Sequence, residues 1–144
     1  MPPARNLTEA KGARALIYDV PRQNADLIYV GLNDRDAAWH DLYEVRISTG
    51  ERKLLRQNTE KIAGWIFDRA GKLRLALRTT DAGDTDILRV TDTGFEQVYS
   101  CTVFETCGPL QFHPDHKRVY MVTNKGATDL VRLVLFVPVT KKEE

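Results

Sequence analysis

Asp41-Leu42-Tyr43-Glu44-Val45, Asp86-Ile87-Leu88-Arg89-Val90 and Asp129-Leu130-Val131-Arg132-Leu133 are three versions of one short apolar segment that opens on aspartate. They recur about every 45 residues, the span of a four-stranded propeller blade. An alternating segment precedes each copy: Leu27-Ile28-Tyr29-Val30, Leu73-Arg74-Leu75-Ala76-Leu77 and Val119-Tyr120-Met121-Val122. Side chains on a strand point to opposite faces in turn, so this period of two predicts strands rather than helices. Further upstream lie Arg14 to Asp19, Ala63 to Asp68 and Cys107 to Phe112, which supply a third strand type. A fourth follows a glycine-ended turn, as Glu51 to Leu55 after Thr49-Gly50 and as Phe95 to Tyr99 after Asp92-Thr93-Gly94. Glycine tolerates the positive φ that tight hairpins need.

The fold class expected is therefore all-β: about three four-stranded antiparallel propeller blades, the last incomplete, a partial β-propeller covering residues 1–144. The blade-like repeats span about 13–57, 61–100 and 107–139. The third copy is expected to end at Val139 without a fourth strand, because only Thr140-Lys141-Lys142-Glu143-Glu144 follows. Arg5-Asn6-Leu7-Thr8 reads either as the last strand of a preceding blade or as a frayed tail. Three blades cannot close a ring that takes four to eight. The chain thus reads as a piece of a larger propeller, as a module whose copies associate to complete a ring, or as sheets packed in another way.

Composition narrows the partners. Lysine and arginine number 21 against 20 aspartate and glutamate, a formal net charge of +1, so no strong field favours nucleic acid or an anionic membrane. With 42% hydrophobic residues in 144, the chain can bury one ordinary core. There is no run of about 18 apolar residues to span a bilayer, and Met1 to Lys11 lacks the apolar core of a signal peptide. No partner of nucleic acid or membrane type is expected. The compartment, cytoplasmic or periplasmic, stays open.

Each constellation that could carry chemistry has a plainer reading. His113-Pro114-Asp115-His116 could be drawn as metal ligands, but it falls opposite Asp68-Arg69-Ala70-Gly71, a hairpin turn, and proline with aspartate favours a turn. Asp81-Ala82-Gly83-Asp84-Thr85-Asp86 resembles the start of a calcium loop but lacks the glycine at loop position 6 and the glutamate at position 12. Cys101 and Cys107 sit in the connection between the second and third repeats, either as a disulfide or as two partly buried thiols. Ser48 and Ser100, the only serines, lie outside any Gly-x-Ser-x-Gly elbow. No catalytic, cofactor-binding or metal residue is assigned, and no cofactor is expected. Trp65 beside Gly64 reads as core, whereas Trp39, after Asn33-Asp34-Arg35-Asp36, reads as a contact on a polar loop. Asn6-Leu7-Thr8 matches the glycosylation triplet at the level expected by chance.

The run Leu32-Asn33-Asp34-Arg35-Asp36, then His40-Asp41-Leu42-Tyr43, then Thr49-Gly50-Glu51 resembles the non-catalytic β-propeller of the prolyl oligopeptidase family of serine peptidases, especially its bacterial dipeptidyl aminopeptidase and acylaminoacyl peptidase branch. Ala63-Gly64-Trp65, Thr106 to Pro109, Thr123-Asn124-Lys125-Gly126 and Asp129 to Leu135 resemble successive blade segments of the same region. The resemblance covers about Asn6 to Val139. It implies a role beside an α/β-hydrolase catalytic domain, which is not in this stretch, with peptides as substrates and the propeller restricting their entry. It carries no catalytic residue onto this sequence. A self-associating module that binds a protein or peptide is the alternative, and homo-oligomers belong to that reading.

Overall fold

The computed structural model describes residues 3–126 and 129–144, and among them it is strand and turn with no helix. Twelve strands form three separate four-stranded antiparallel sheets, each a meander in chain order. The first sheet holds β1 (Ala15–Asp19), β2 (Leu27–Asp36), β3 (Trp39–Arg46) and β4 (Arg52–Arg56). The second holds β5 (Ile62–Phe67), β6 (Leu73–Thr79), β7 (Thr85–Val90) and β8 (Phe95–Cys101). The third holds β9 (Cys107–Phe112), β10 (Val119–Thr123), β11 (Arg132–Val137) and β12 (Lys142–Glu143). Such meanders are the building blocks of propeller-like folds. The chain divides into two compact units, Met1–Glu60 with the first sheet and Lys61–Glu144 with the other two.

In the first unit Val30, Leu32 and Val45 form the core on one face of the sheet, with Leu7 packed onto them. The amino-terminal segment is thus neither a strand nor a frayed tail. Arg5 Nη2 donates to Ile47 O at 2.9 Å, and Arg52 Nη2 donates to Glu9 O at 2.9 Å, which straps the segment down.

The second unit is built around one shared core. Leu75, Ile87 and Val98 from the second sheet meet Phe112, Val119, Met121 and Phe136 from the third. Their alternation explains the burial. Val119, Met121 and Thr123 are fully buried along β10, while Tyr120 and Val122 between them point the other way and are only half-buried.

Three local expectations are corrected. First, the third aspartate-led copy is displaced, because Asp129 and Leu130 lie outside any strand and are exposed, and β11 begins at Arg132. The pairing of Val119 with Phe136 and of Met121 with Val134 fixes this register, which places Phe136 in the core and leaves Leu133 64% exposed. Second, the third sheet does have a fourth strand, of two residues, paired to β11 through Phe136 with Glu143 and Val137 with Lys142. Its turn matches the one before β4: Gly50 N donates to Arg46 O at 2.7 Å, and Lys141 N donates to Val137 O at 2.8 Å. Lys141 takes the left-handed φ of 59° that Gly50 takes at 76°, so a lysine stands where a glycine was expected to be required. Gly94, by contrast, is not in the left-handed region, and serves by donating its N–H to Thr91 Oγ1 at 3.0 Å. Third, Asn33 to Asp36 is not a loop but the end of β2, closed by a two-residue turn at Ala37-Ala38. Side chains hold that turn, with Asn33 Nδ2 donating to Ala37 O and Asp36 Oδ1 accepting from Ala38 N.

The register makes a clear prediction. Phe136→Ala should cost about 3–5 kcal/mol, because it empties a packed core position. Leu133→Ser should stay within about 0.5 kcal/mol, as a surface substitution. Urea unfolding of the two variants checks this, and the reverse ranking would restore the displaced register.

Candidate functional site

The sequence-marked residues do not converge on one site. His113 to Arg118 forms the β9–β10 turn, in which His113 N donates to Arg118 O at 2.8 Å. Asp115 ties that turn together by accepting from Lys117 N, Arg118 N and Arg118 Nε, and these bonds hold its carboxyl well below the usual carboxylate range. The three carboxylates of Asp81 to Asp86, two in the β6–β7 loop and one on β7, also have separate tasks. Asp81 pairs with Lys61 Nζ at 2.5 Å, Asp84 accepts from Val103 N at 3.0 Å, and Asp86 pairs with Arg78 Nη2 at 2.8 Å. Among the described residues no group of three His, Cys, Asp or Glu side chains is placed to hold a metal ion. Ser48 Oγ donates to Asp26 Oδ2 at 2.7 Å in the β3–β4 turn, which makes it a turn residue. Trp65 is core, its ring 6.1 Å from that of Phe95. Trp39 is half-buried at the start of β3 and not an exposed loop contact, since the loop expected before it is strand.

What the geometry does bring together is a set of clamps that alternation alone hid. Asp41 is 1% exposed, and its carboxylate accepts from Arg35 Nε at 2.6 Å, from Arg35 Nη2 at 2.8 Å and from Asn58 N at 2.7 Å. The guanidinium also reaches Asn58 O at 3.1 Å, so the segment after β4 is bound to the β2–β3 hairpin. Arg35 holds the Asp41 carboxyl below its ordinary range, helped by the Asn58 amide and opposed by burial. In the second unit Arg74 Nη1 bridges the sheets, donating to Asp68 Oδ2 at 2.9 Å and to His116 O at 2.8 Å, with its guanidinium 5.2 Å from the Phe112 ring. Asp68 is buried and also accepts from Ala70 N and Lys72 N. Each of these clamps pairs an arginine on the second strand of a sheet with an aspartate that only the fold brings to it.

At the opposite end of the same unit, Cys101 and Cys107 are joined as a disulfide with their Cα atoms 6.1 Å apart, which ties β8 to β9. Tyr99 Oη donates to Glu143 Oε1 at 2.7 Å and lies 3.1 Å from Thr123 Oγ1, and Lys125 Nζ donates to Ser100 O. Burial of the Tyr99 ring raises its pKa. The second and third sheets are therefore fastened at both ends. The outer face of the third sheet carries a cleft of about 490 Å³ lined by Arg69, Leu110, Gln111, Pro114, Tyr120 and Leu133. Leu110, Pro114, Tyr120 and Leu133 make most of that lining apolar, with Arg69 and Gln111 as its polar groups.

Comparison with known proteins gives one informative likeness. The chain is 35% identical over 126 residues, 85% of its length, to dipeptidyl aminopeptidase BIII of Pseudoxanthomonas mexicana. It spans 18% of that relative's length. No family model matches the chain. The likeness and the three-sheet fold agree on a propeller-like region similar to part of a peptidase.

Two outcomes test the clamps. Asp41→Ala should lose about 2–3 kcal/mol at neutral pH, since it leaves the Asn58 amide without its carboxylate. Because the folded carboxyl titrates below its unfolded value, its contribution is complete above about pH 4 and fades as pH falls through the lower folded value. Urea unfolding at pH 7 and at pH 2 should therefore show the gap between Asp41→Asn and the parent narrowing with acid; a gap that widens would place the carboxylate elsewhere. Reducing the disulfide, which closes a short loop, should cost about 2 kcal/mol, read from melts with and without a thiol reductant.

Proposed function

We propose that the chain is a non-catalytic propeller segment of a serine peptidase of the prolyl oligopeptidase type. In the longer polypeptide it forms part of the wall that restricts entry to the active site and orients peptide substrates. An α/β-hydrolase domain elsewhere in that polypeptide supplies the nucleophile, and peptides are the substrates. The observation that carries the reading is the run of identity to a dipeptidyl aminopeptidase along a stretch folded as successive four-stranded sheets. Likeness of fold alone would say little about function, so the weight rests on the identity.

The residues of this stretch support a passive role. Its buried carboxylates are held by arginines and backbone amides, and its two serines lie at a turn and on β8 rather than at a strand-to-helix elbow. A wall acts by shape, and the clamps of both units hold shape. The outer face of the third sheet, with Leu110 and Leu133 exposed, suits cover by another sheet. That same face favours a second reading, in which copies of this chain associate through it.

The purified chain should not turn over dipeptidyl or acylaminoacyl reporter substrates, whereas the longer polypeptide should. Hydrolysis by the pure chain that resists Ser48→Ala and Ser100→Ala but yields to a serine-hydrolase inhibitor would point to a contaminant; hydrolysis lost in either variant would overturn the reading. Solution mass decides between the two readings, since a discrete closed oligomer of this chain favours the self-associating module.

A further inference from the structure

We propose that the loop closed by the Cys101–Cys107 disulfide is a preformed docking knob, whose Phe104 enters an apolar pocket on the remainder of the longer polypeptide. The inference rests on the reading above that such a polypeptide exists.

Phe104 is 91% exposed, the most exposed large apolar side chain among the described residues. Water contact of a whole phenyl ring is unfavourable, and the backbone that carries the ring is held by hydrogen bonds on both sides of it. Glu105 N donates to Thr102 O at 2.9 Å, while the Glu105 carboxylate accepts from Thr102 N at 2.9 Å. Val103 N donates to Asp84 Oδ1 at 3.0 Å and Thr106 N to Asn124 Oδ1 at 2.7 Å, which anchors the turn to the β6–β7 and β10–β11 loops. The disulfide closes its base. A rigid aromatic anchor of this kind loses little entropy on binding.

The two ends of the second unit differ in kind. Antiparallel meanders put the β6–β7, β8–β9 and β10–β11 connections at one end, and there Val103, Phe104, Leu130 and Val131 are all exposed. The opposite end carries the charged turns Asp68 to Lys72 and His113 to Arg118, with Val139 the one exposed large aliphatic among its described residues. The carboxylates bonded to this loop, those of Asp84 and Glu105, are engaged with backbone amides, so the partner need not supply a cation for them. The chain spans 18% of its peptidase relative, so a longer polypeptide of that kind has ample surface to provide the pocket.

Hydrogen exchange tests this. In the longer polypeptide the amides of Val103 to Thr106 should exchange about tenfold or more slowly than in this chain alone. Phe104→Asp should restore the fast rate in the longer protein while leaving the melting temperature of this chain unchanged. Val139→Asp, at the opposite end, should leave the protection in place. Equal exchange in both proteins, or loss of protection by Val139→Asp instead, overturns the docking knob. A raised KM for peptides in Phe104→Asp with no change in protection also overturns it, because the ring would then face substrate. An open reading frame with no further domain would sink the proposed function and this inference together. A longer enzyme that hydrolyses peptides but shows fast exchange at these amides would sink the inference alone.

Discussion

The packing of the second sheet on the third is the contact on which the larger unit depends. Each sheet is four short strands, and the apolar face of a sheet has to be buried against another element. Leu75, Ile87 and Val98 have nowhere to bury except against Phe112, Val119, Met121 and Phe136. Because both sheets also carry apolar residues on their other faces, the same demand repeats outward. Trp65, Ala76 and Leu88 are buried on the second sheet's far face, while Leu133 on the third sheet's far face stays exposed.

Stacking by apolar contact alone would let sheets slide, and the polar groups remove that freedom. Arg74 joins Asp68 on the second sheet to the His116 carbonyl on the third at the turn end. The disulfide, the Tyr99–Glu143 bond and the Lys125–Ser100 bond do so at the loop end. A buried carboxylate such as Asp41 tolerates burial because a two-pronged guanidinium and a backbone amide satisfy it. Removing one partner leaves the other desolvated and unpaired, so each of these contacts is costly to break once the strands are in register.

How far this was legible in the sequence depended on whether a pattern distinguished two faces. Strands β5 to β8 alternate clearly and are flanked by glycine and aspartate, so their bounds could be read closely. Leu130 to Val137 is a nearly unbroken apolar run, interrupted by one arginine, and such a run does not choose its own register. Only pairing with β10 selects Phe136 for the core. Turn chemistry was legible at His113-Pro114-Asp115-His116, where proline and aspartate announce it, and illegible at Lys141, where a lysine adopts a glycine-like φ. The arginine clamps were illegible for another reason: on an alternating strand Arg74 and Arg78 read as solvent-facing. The fold instead brings a buried carboxylate to each of them.

These clamps also bear on what the chain can contribute to chemistry. A general acid or base has to change its proton, and a nucleophile needs a base beside it. Asp26, Asp41, Asp81, Glu96 and Asp115 are each held below the ordinary carboxylate range by cations or hydrogen bonds, which favours permanent ionisation. His40 is pushed toward its neutral form, its pKa lowered by burial, with Arg14 adding to the effect. Charges fixed in this manner do not relay protons; they hold strands at set spacings. With cations and anions nearly equal in number and so many of them paired internally, little field remains to steer a charged ligand. What the described residues leave outside the cores of the second unit includes the exposed apolar side chains Phe104, Leu130 and Leu133, which carry no charge to fix.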